Sequence, residues 1–324
     1  MSNTEAREVV CAPVEGELSP TRELLEPREV YLSPRNQVRR LLPHRHRRMV
    51  GAWCFVDHYG GDGTDARSMR IPSHPHSGLQ TVSWLLNGEI RHRDSQGHDA
   101  RVRPGELNLM TAGPGIAHSE YSMSEGGPPH GLQLWVALPD NARETAAPAF
   151  AQHSDLPVVP GDGFEARVIC GEFAGALSEA STFTPLVGAD LRLEGSSGAT
   201  VELRSDFEYA VQVLSDEVIV DDEPVSFGQM MYVGGNRTSL SFHTPTEGNG
   251  RVIVLGGTPF DEEIVMWWNF IGRSHDEIVE MRATWNASDD GGRFGAVPGG
   301  DDPRLLAPPL PNTKLKHRGR VGRP

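Results

Sequence analysis

Apolar residues in this chain come in runs sized for strands, and glycine or proline cuts them before a helix could complete three turns. Thr81-Val-Ser-Trp-Leu-Leu86 reads as a buried strand stopped by Asn87-Gly88, a strong hairpin signal. Glu89-Ile-Arg-His-Arg-Asp94 continues it, and Ser95-Gln-Gly97 turns the chain again. Leu107-Asn-Leu-Met-Thr111 follows another turn, and Gly131-Leu-Gln-Leu-Trp-Val-Ala-Leu138 alternates until Pro139-Asp140. With 36 Gly and 25 Pro among 324 residues, such punctuation favours an all-β sandwich or barrel.

At this length two domains are expected, and the strand pattern recurs. A second β-rich stretch holds Ala166-Arg-Val-Ile-Cys-Gly171, Tyr209-Ala-Val-Gln-Val-Leu214 and Arg251-Val-Ile-Val-Leu255. Leu85-Leu-Asn-Gly-Glu-Ile-Arg-His92 is loosely echoed by Val213-Leu-Ser-Asp-Glu-Val-Ile-Val220. The expected division is a flexible leader (1–27), an N-terminal domain (28–140), a linker (141–160), a C-terminal domain (161–287) and a disordered tail (288–324). Ser274, three residues before Glu277, is a capping box that predicts a short helix from His275 to about Trp285.

Two short motifs carry chemistry. Successive strand side chains point to opposite faces, so residues two apart share one. His74 and His76 can therefore reach one point, and so can His118 and Glu120 behind Gly113-Pro-Gly115. Pro75 donates no ladder hydrogen bond, which suits a strand edge or barrel mouth. Alone, each histidine would read as a satisfied core or surface residue; two same-face pairs in one barrel favour a divalent first-row metal instead. Four protein ligands around a six-coordinate ion leave about two positions open, a catalytic pattern. Structural zinc would more often recruit Cys, and Cys11, Cys54 and Cys170 are far from this set and from each other. His92, between Arg91 and Arg93, reads as surface, and the remaining histidines show no comparable pairing.

These residues also carry a family resemblance. His74-Pro-His-Ser-Gly78, Val102-Arg-Pro-Gly-Glu106, Asn108-Leu-Met-Thr-Ala-Gly-Pro-Gly-Ile-Ala-His-Ser-Glu120 and His130-Gly-Leu-Gln-Leu-Trp-Val-Ala-Leu-Pro139 resemble the pirin family. Met49-Val-Gly-Ala-Trp-Cys-Phe-Val-Asp-His-Tyr-Gly60 fits the same pattern; the close matches span about residues 35 to 140. The resemblance implies a bicupin, two jelly-roll type cupin β-barrels packed together, with metal in the N-terminal one. It implies non-haem iron on His74, His76, His118 and Glu120. Ferrous iron is the first expectation, with nickel, copper, cobalt, manganese and zinc as alternatives. The second barrel offers only His243 after Phe242, in keeping with a metal-free half. Ser77, Gln80 and Ala52-Trp53 depart from residues common in pirins, without removing a ligand.

Two functions follow from the resemblance. One is a quercetin dioxygenase that opens a flavonol ring with dioxygen; there Glu120 is the candidate base, and Trp53, Phe55 and Gln133 would line an aromatic-accepting pocket. The other is an iron-dependent, redox-responsive regulator that binds a transcription factor or metabolic enzyme, with the basic segment Arg35 to Arg48 as partner face. A net charge of −14 argues against direct DNA binding. The first residues lack a secretory pattern, and Ile264-Val-Met-Trp-Trp268 is too short to span a bilayer, so a cytoplasmic setting is expected.

Overall fold

The computed structural model describes residues 18–33, 36–61, 69–195, 198–215, 217–245, 248–299, 302–317 and 319–321. Cys11, Arg35 and the leader through residue 17 lie outside them.

Among the described residues, each half of the chain is a seven-stranded antiparallel sheet facing a four-stranded one. In the N-terminal barrel the larger sheet runs, in spatial order, 149–153, 107–111, 79–87, 130–137, 53–59, 36–42 and 28–33. Its smaller sheet runs 70–76, 116–122, 90–94 and 99–102. The C-terminal barrel repeats the plan, with 20–25, 230–234, 208–213, 250–257, 186–193, 164–170 and 158–161 in one sheet. Its smaller sheet holds 199–202, 239–243, 217–220 and 223–226. The fold is all-β with two cupin domains, as the strand pattern and the resemblance led one to expect.

Segments outside the two expected domains supply an edge strand to each barrel. Pro20–Leu25, from the expected leader, pairs with Met230–Gly234 of the C-terminal barrel. Ala149–His153, from the expected linker, pairs with Leu107–Thr111 of the N-terminal barrel. Each added strand covers the former edge and becomes the outermost strand of its sheet. Val158–Gly161 also pairs, with Phe164–Cys170, so most of the expected linker is structured. Neither segment is apolar enough to announce itself as a strand; each is held by backbone pairing to a distant partner.

The large sheets stack face to face over one apolar cluster drawn from both halves, including Leu41, Trp53, Val136, Ala210, Ile253 and Leu255. Trp53 is fully buried there, its indole Nε1 donating to the main-chain oxygens of Val187 (3.1 Å) and Gly256 (3.2 Å) across the interface. Gly51 (φ +52°) marks a close approach of the backbones, since a Cβ there would stand 2.8 Å from Gly257 Cα.

Half of the capping box is realised: Ser274 Oγ accepts from Glu277 N at 3.1 Å, while the Glu277 carboxylate accepts from Arg273 N (2.9 Å), one residue before the cap, and the helix spans His275–Ala287. Its buried face, Ile278, Met281 and Trp285, packs with Phe270, Phe294, Ala307 and Ala117. The described part of the expected disordered tail is therefore anchored. Trp285 Nε1 donates to Leu305 O (2.7 Å), and Leu305 N donates to Ser73 O (2.8 Å). The basic run is likewise less solvated than its composition implies: Arg40, Arg47 and Arg48 are buried. Arg40 forms two 2.7 Å hydrogen bonds to the Asp57 carboxylate, and Arg47 pairs with Glu23 at 2.6 Å. Strand alternation turns Arg40 inward, and Arg47 and Arg48 are buried beyond the end of that strand, which leaves little of this segment as a partner face.

Candidate metal centre

The cluster forms where two strands of the small N-terminal sheet pair antiparallel. His118 on Ile116–Ser122 lies directly opposite His74 on Arg70–His76, and His76 lies opposite Ile116. The two-residue period then places His76 on the same face as His74. The ligand nitrogens of His74, His76 and His118 all lie within 4.8 Å of one another, and all three residues are buried. Among the described residues, no other cluster of three or more His, Cys, Asp or Glu side chains meets that geometry.

Hydrogen bonds hold two of the rings from behind, His74 and His118, while His76 Nδ1 is buried without a hydrogen-bond partner. His74 Nδ1 contacts Pro72 O at 2.9 Å, and a carbonyl only accepts, so the proton sits on Nδ1. Its Nε2, buried and without a hydrogen-bond partner, turns a lone pair into the cluster. His76 Nε2 and His118 Nε2 face each other at 3.1 Å. Burial holds all three imidazoles well below their ordinary value of 6.5; the proximity of His118 lowers His74 and His76 further, and His92 lowers His118. Neutral imidazoles with inward nitrogens, one of them unpaired, fit a divalent cation.

Behind His76 lies the hairpin of Val265–Trp267 and Phe270–Gly272. Trp268, at its turn, takes a positive φ of 53°, an uncommon conformation for a bulky residue, and the next residue, Asn269, favours a proton on the His76 ring through its main chain. Trp135 stands edge-on to His76 with ring centroids 5.1 Å apart.

The structure brings three of the four expected ligands into the cluster. Glu120 is buried beside it, yet its carboxylate is not part of the 4.8 Å group. Ser83 Oγ bridges Glu120 Oε1 (3.4 Å) and Gln133 Oε1 (2.9 Å). The Tyr59 phenol is pushed well above 10, by burial first and by the Glu120 charge second, so it stays protonated.

The aromatic pocket expected from sequence separates into parts. Gln133 lies beside Glu120. Phe55 stacks on Trp135 (4.0 Å, 13°) with the Arg40 guanidinium over its ring, one layer behind His76. Trp53 belongs to the interface between barrels, where its size and its N–H are both used. Ser77 and Gln80 are also engaged elsewhere, Ser77 Oγ donating to Pro114 O and Gln80 Nε2 to Thr111 Oγ1.

His92 is the residue that sequence reasoning missed. It is buried, its Nδ1 lies 3.4 Å from His118 Nδ1, and its Nε2 lies 3.3 Å from Asp94 Oδ2. Its ring stacks on Phe150 of the strand Ala149–His153, 4.2 Å away and 13° from parallel. The spacing of His92 and Asp94, two apart on one strand, was the available signal; the flanking arginines obscured it. Burial pushes the Asp94 carboxyl up, but hydrogen bonds from His92 and His98 outweigh it and hold the group below the usual carboxylate value. His58 and His130 also pair, Nε2 to Nε2 at 3.0 Å, against the expectation that no other histidines would meet.

The C-terminal barrel offers no counterpart among the described residues. Its interior is hydrocarbon, with Val168, Leu191, Val211, Val220, Leu240 and Val254 in one apolar cluster.

Two stacked cupin barrels, with a histidine cluster in the first alone, define a bicupin. Residues 35–136 match the Pirin family model and 188–294 the model of the Pirin C-terminal cupin domain. The chain belongs to the pirin family. It is 42% identical over 275 residues to a Pseudomonas aeruginosa protein provisionally named a quercetin 2,3-dioxygenase, covering 85% of this chain and 86% of that one. A Pirin-like protein of Caulobacter vibrioides is 36% identical over 261 residues, covering 78% and 88%. The crystal structure of a quercetin 2,3-dioxygenase from Acinetobacter baumannii superposes with a TM-score of 0.83 at 36% identity, covering 90% of this chain and 96% of that one. No helix among the described residues is long and apolar enough to cross a membrane.

Proposed function

We propose that the protein is a metal-dependent dioxygenase that opens a flavonol such as quercetin. The observation that carries this reading is the convergence of three buried imidazoles beside a buried carboxylate in the N-terminal barrel. The relatives named for quercetin dioxygenation agree with it. His74, His76 and His118 would hold the ion, with Glu120 as fourth ligand. Ferrous iron is the favoured ion, with nickel, copper, cobalt, manganese or zinc as alternatives. A bound divalent ion would supply Lewis acidity toward a flavonol oxygen and redox chemistry toward dioxygen.

The chain's own residues divide the remaining work. Glu120 is the acceptor for the flavonol hydroxyl proton, and Ser83 steadies its Oε1 in common with Gln133. Tyr59, held protonated, remains a neutral neighbour to that carboxylate. Trp135, braced by Phe55, keeps water from the back of His76. A reducing, cytoplasmic setting accords with Cys54 and Cys170, both buried and unpaired.

Aerobic incubation of the metal-loaded protein with quercetin, following loss of flavonol absorbance, tests this reading. Absence of turnover with iron, nickel, copper, cobalt and manganese would refute it for that substrate. One observation favours a second reading, a metal-dependent regulator that binds a protein partner: His74 and His76 are 0% exposed and His118 1%, so almost none of the ligand set itself reaches solvent. A pull-down that depends on metal loading, without flavonol turnover, would select that alternative.

A further inference from the structure

We propose that His92, anchored by Asp94, is a positioning residue that fixes the His118 proton on Nδ1 and thereby aims the Nε2 lone pair into the cluster. The inference rests on the three-histidine metal reading above. It follows from donor and acceptor counting along one line of groups.

A carboxylate only accepts hydrogen bonds, so at 3.3 Å from Asp94 Oδ2 the His92 Nε2 is the donor. A neutral imidazole carrying its proton on Nε2 presents a lone pair at Nδ1. His118 Nδ1, 3.4 Å away, must then donate. His118 Nε2 is left as acceptor, facing His76 Nε2 at 3.1 Å, where a cation would sit. The carboxylate at the far end thus selects the tautomer of two histidines in series. Metal-bound imidazoles commonly depend on such an outer acceptor for their orientation and basicity.

Two further contacts make the line rigid. Phe150 stacks on the His92 ring and so sets its plane. Asp94 Oδ1 accepts from the main-chain N–H groups of Gln96 (2.9 Å) and His98 (3.1 Å), which ties the carboxylate to the turn after its strand. His98 Nδ1 reaches the same carboxylate at 2.9 Å from a side chain that is 41% exposed. Because Asp94 also builds that turn, substitutions at His92 separate positioning from folding more cleanly.

The experiment is a competition titration of metal-stripped protein with nickel(II) against a chromophoric chelator. It compares wild type, His92→Phe and His92→Gln. Phenylalanine keeps the ring and the Phe150 stack but offers His118 no acceptor; glutamine offers a carbonyl oxygen. The expected result is a Kd raised about 10- to 100-fold in His92→Phe, with most of the affinity restored in His92→Gln. Cobalt(II)-loaded protein should show a shifted d–d spectrum in His92→Phe alone, a change that loss of packing volume would not produce. Nickel affinity of His92→Phe within twofold of wild type would overturn the proposal, as would equal weakening in His92→Gln. Failure of the wild type to bind nickel, cobalt or iron would instead overturn the metal reading beneath it. Should His92→Phe not fold, His92→Gln against His92→Leu answers the same question.

Discussion

Replacing Trp53 by phenylalanine distinguishes a barrel-interface role from a substrate-pocket role. The substitution removes one indole N–H that serves two buried carbonyl oxygens, Val187 O at 3.1 Å and Gly256 O at 3.2 Å. Both carbonyls keep their place in the ladder between 186–193 and 250–257, so losing the indole donor costs a net hydrogen bond, about 0.5–1.5 kcal/mol. The smaller ring also leaves a void against Gly188, whose missing Cβ would have stood 3.2 Å from Trp53 Cζ2, and that void adds about 1 kcal/mol. The expected loss is about 1.5–2.5 kcal/mol, or a fall in Tm of about 2–4 °C for a chain this large. Far-UV circular dichroism is the suitable probe, because the substitution alters tryptophan emission. A single transition is expected, since the barrels share one apolar cluster and Pro20–Leu25 pairs into the C-terminal barrel. Nickel affinity should stay within twofold of wild type. A stability change under 0.5 kcal/mol together with a large change in metal or flavonol binding would return Trp53 to the pocket and refute the reasoning.

Burial pushes the Cys54 and Cys170 thiols up to about 12, so iodoacetamide at pH 8 should leave both unmodified in the native state. Peptide mapping that finds either alkylated without denaturant would contradict their burial. The three cluster histidines are held below 6.5, so metal-free folded protein refuses protons that the unfolded chain accepts. Stability of chelator-treated protein is therefore full above pH 6.5 and falls as pH drops below it. The limit is about 1.4 kcal/mol per pH unit for each histidine. Chemical denaturation at pH 7.5, 6.5 and 5.5 should show the decline, and a flat profile would refute it. Phe294→Ala, at a ring 1% exposed and packed against Phe270 and Trp285, should cost about 3–5 kcal/mol by the same assay, whereas a disordered tail would lose nothing.

The two-residue period is why the cluster could be read from sequence and why part of it was misread. His74 and His76 share a face by the pleat alone, and the turn at Gly113-Pro-Gly115 lets the chain return so that His118 lies opposite His74. Applied to Ile90–Asp94, the same period puts Arg91 outward and His92 with Asp94 inward. The arginines suggested a charged strand, although Arg91 reaches Asp99 outside and Arg93 donates to Gly299 O in the tail. Local composition could not say that the tail would supply that acceptor.

What sequence could not carry was partnership at a distance. Ala149–His153 reads as linker because its strand character depends on Leu107–Thr111, some forty residues earlier, yet it delivers the Phe150 ring against His92. Pro20–Leu25 reads as leader because its partner lies in the other barrel. The strand at 149–153 thereby places one wall of the metal surroundings on a segment outside the expected N-terminal domain. If His92 orders His118 as inferred, loosening the 149–153 strand should weaken metal binding without touching a ligand. Phe150→Ala, which removes the stacked ring and spares every hydrogen bond in the line, should raise the nickel Kd in the same direction as His92→Phe and by less. Unchanged affinity in Phe150→Ala would show that the hydrogen bonds alone hold the ring.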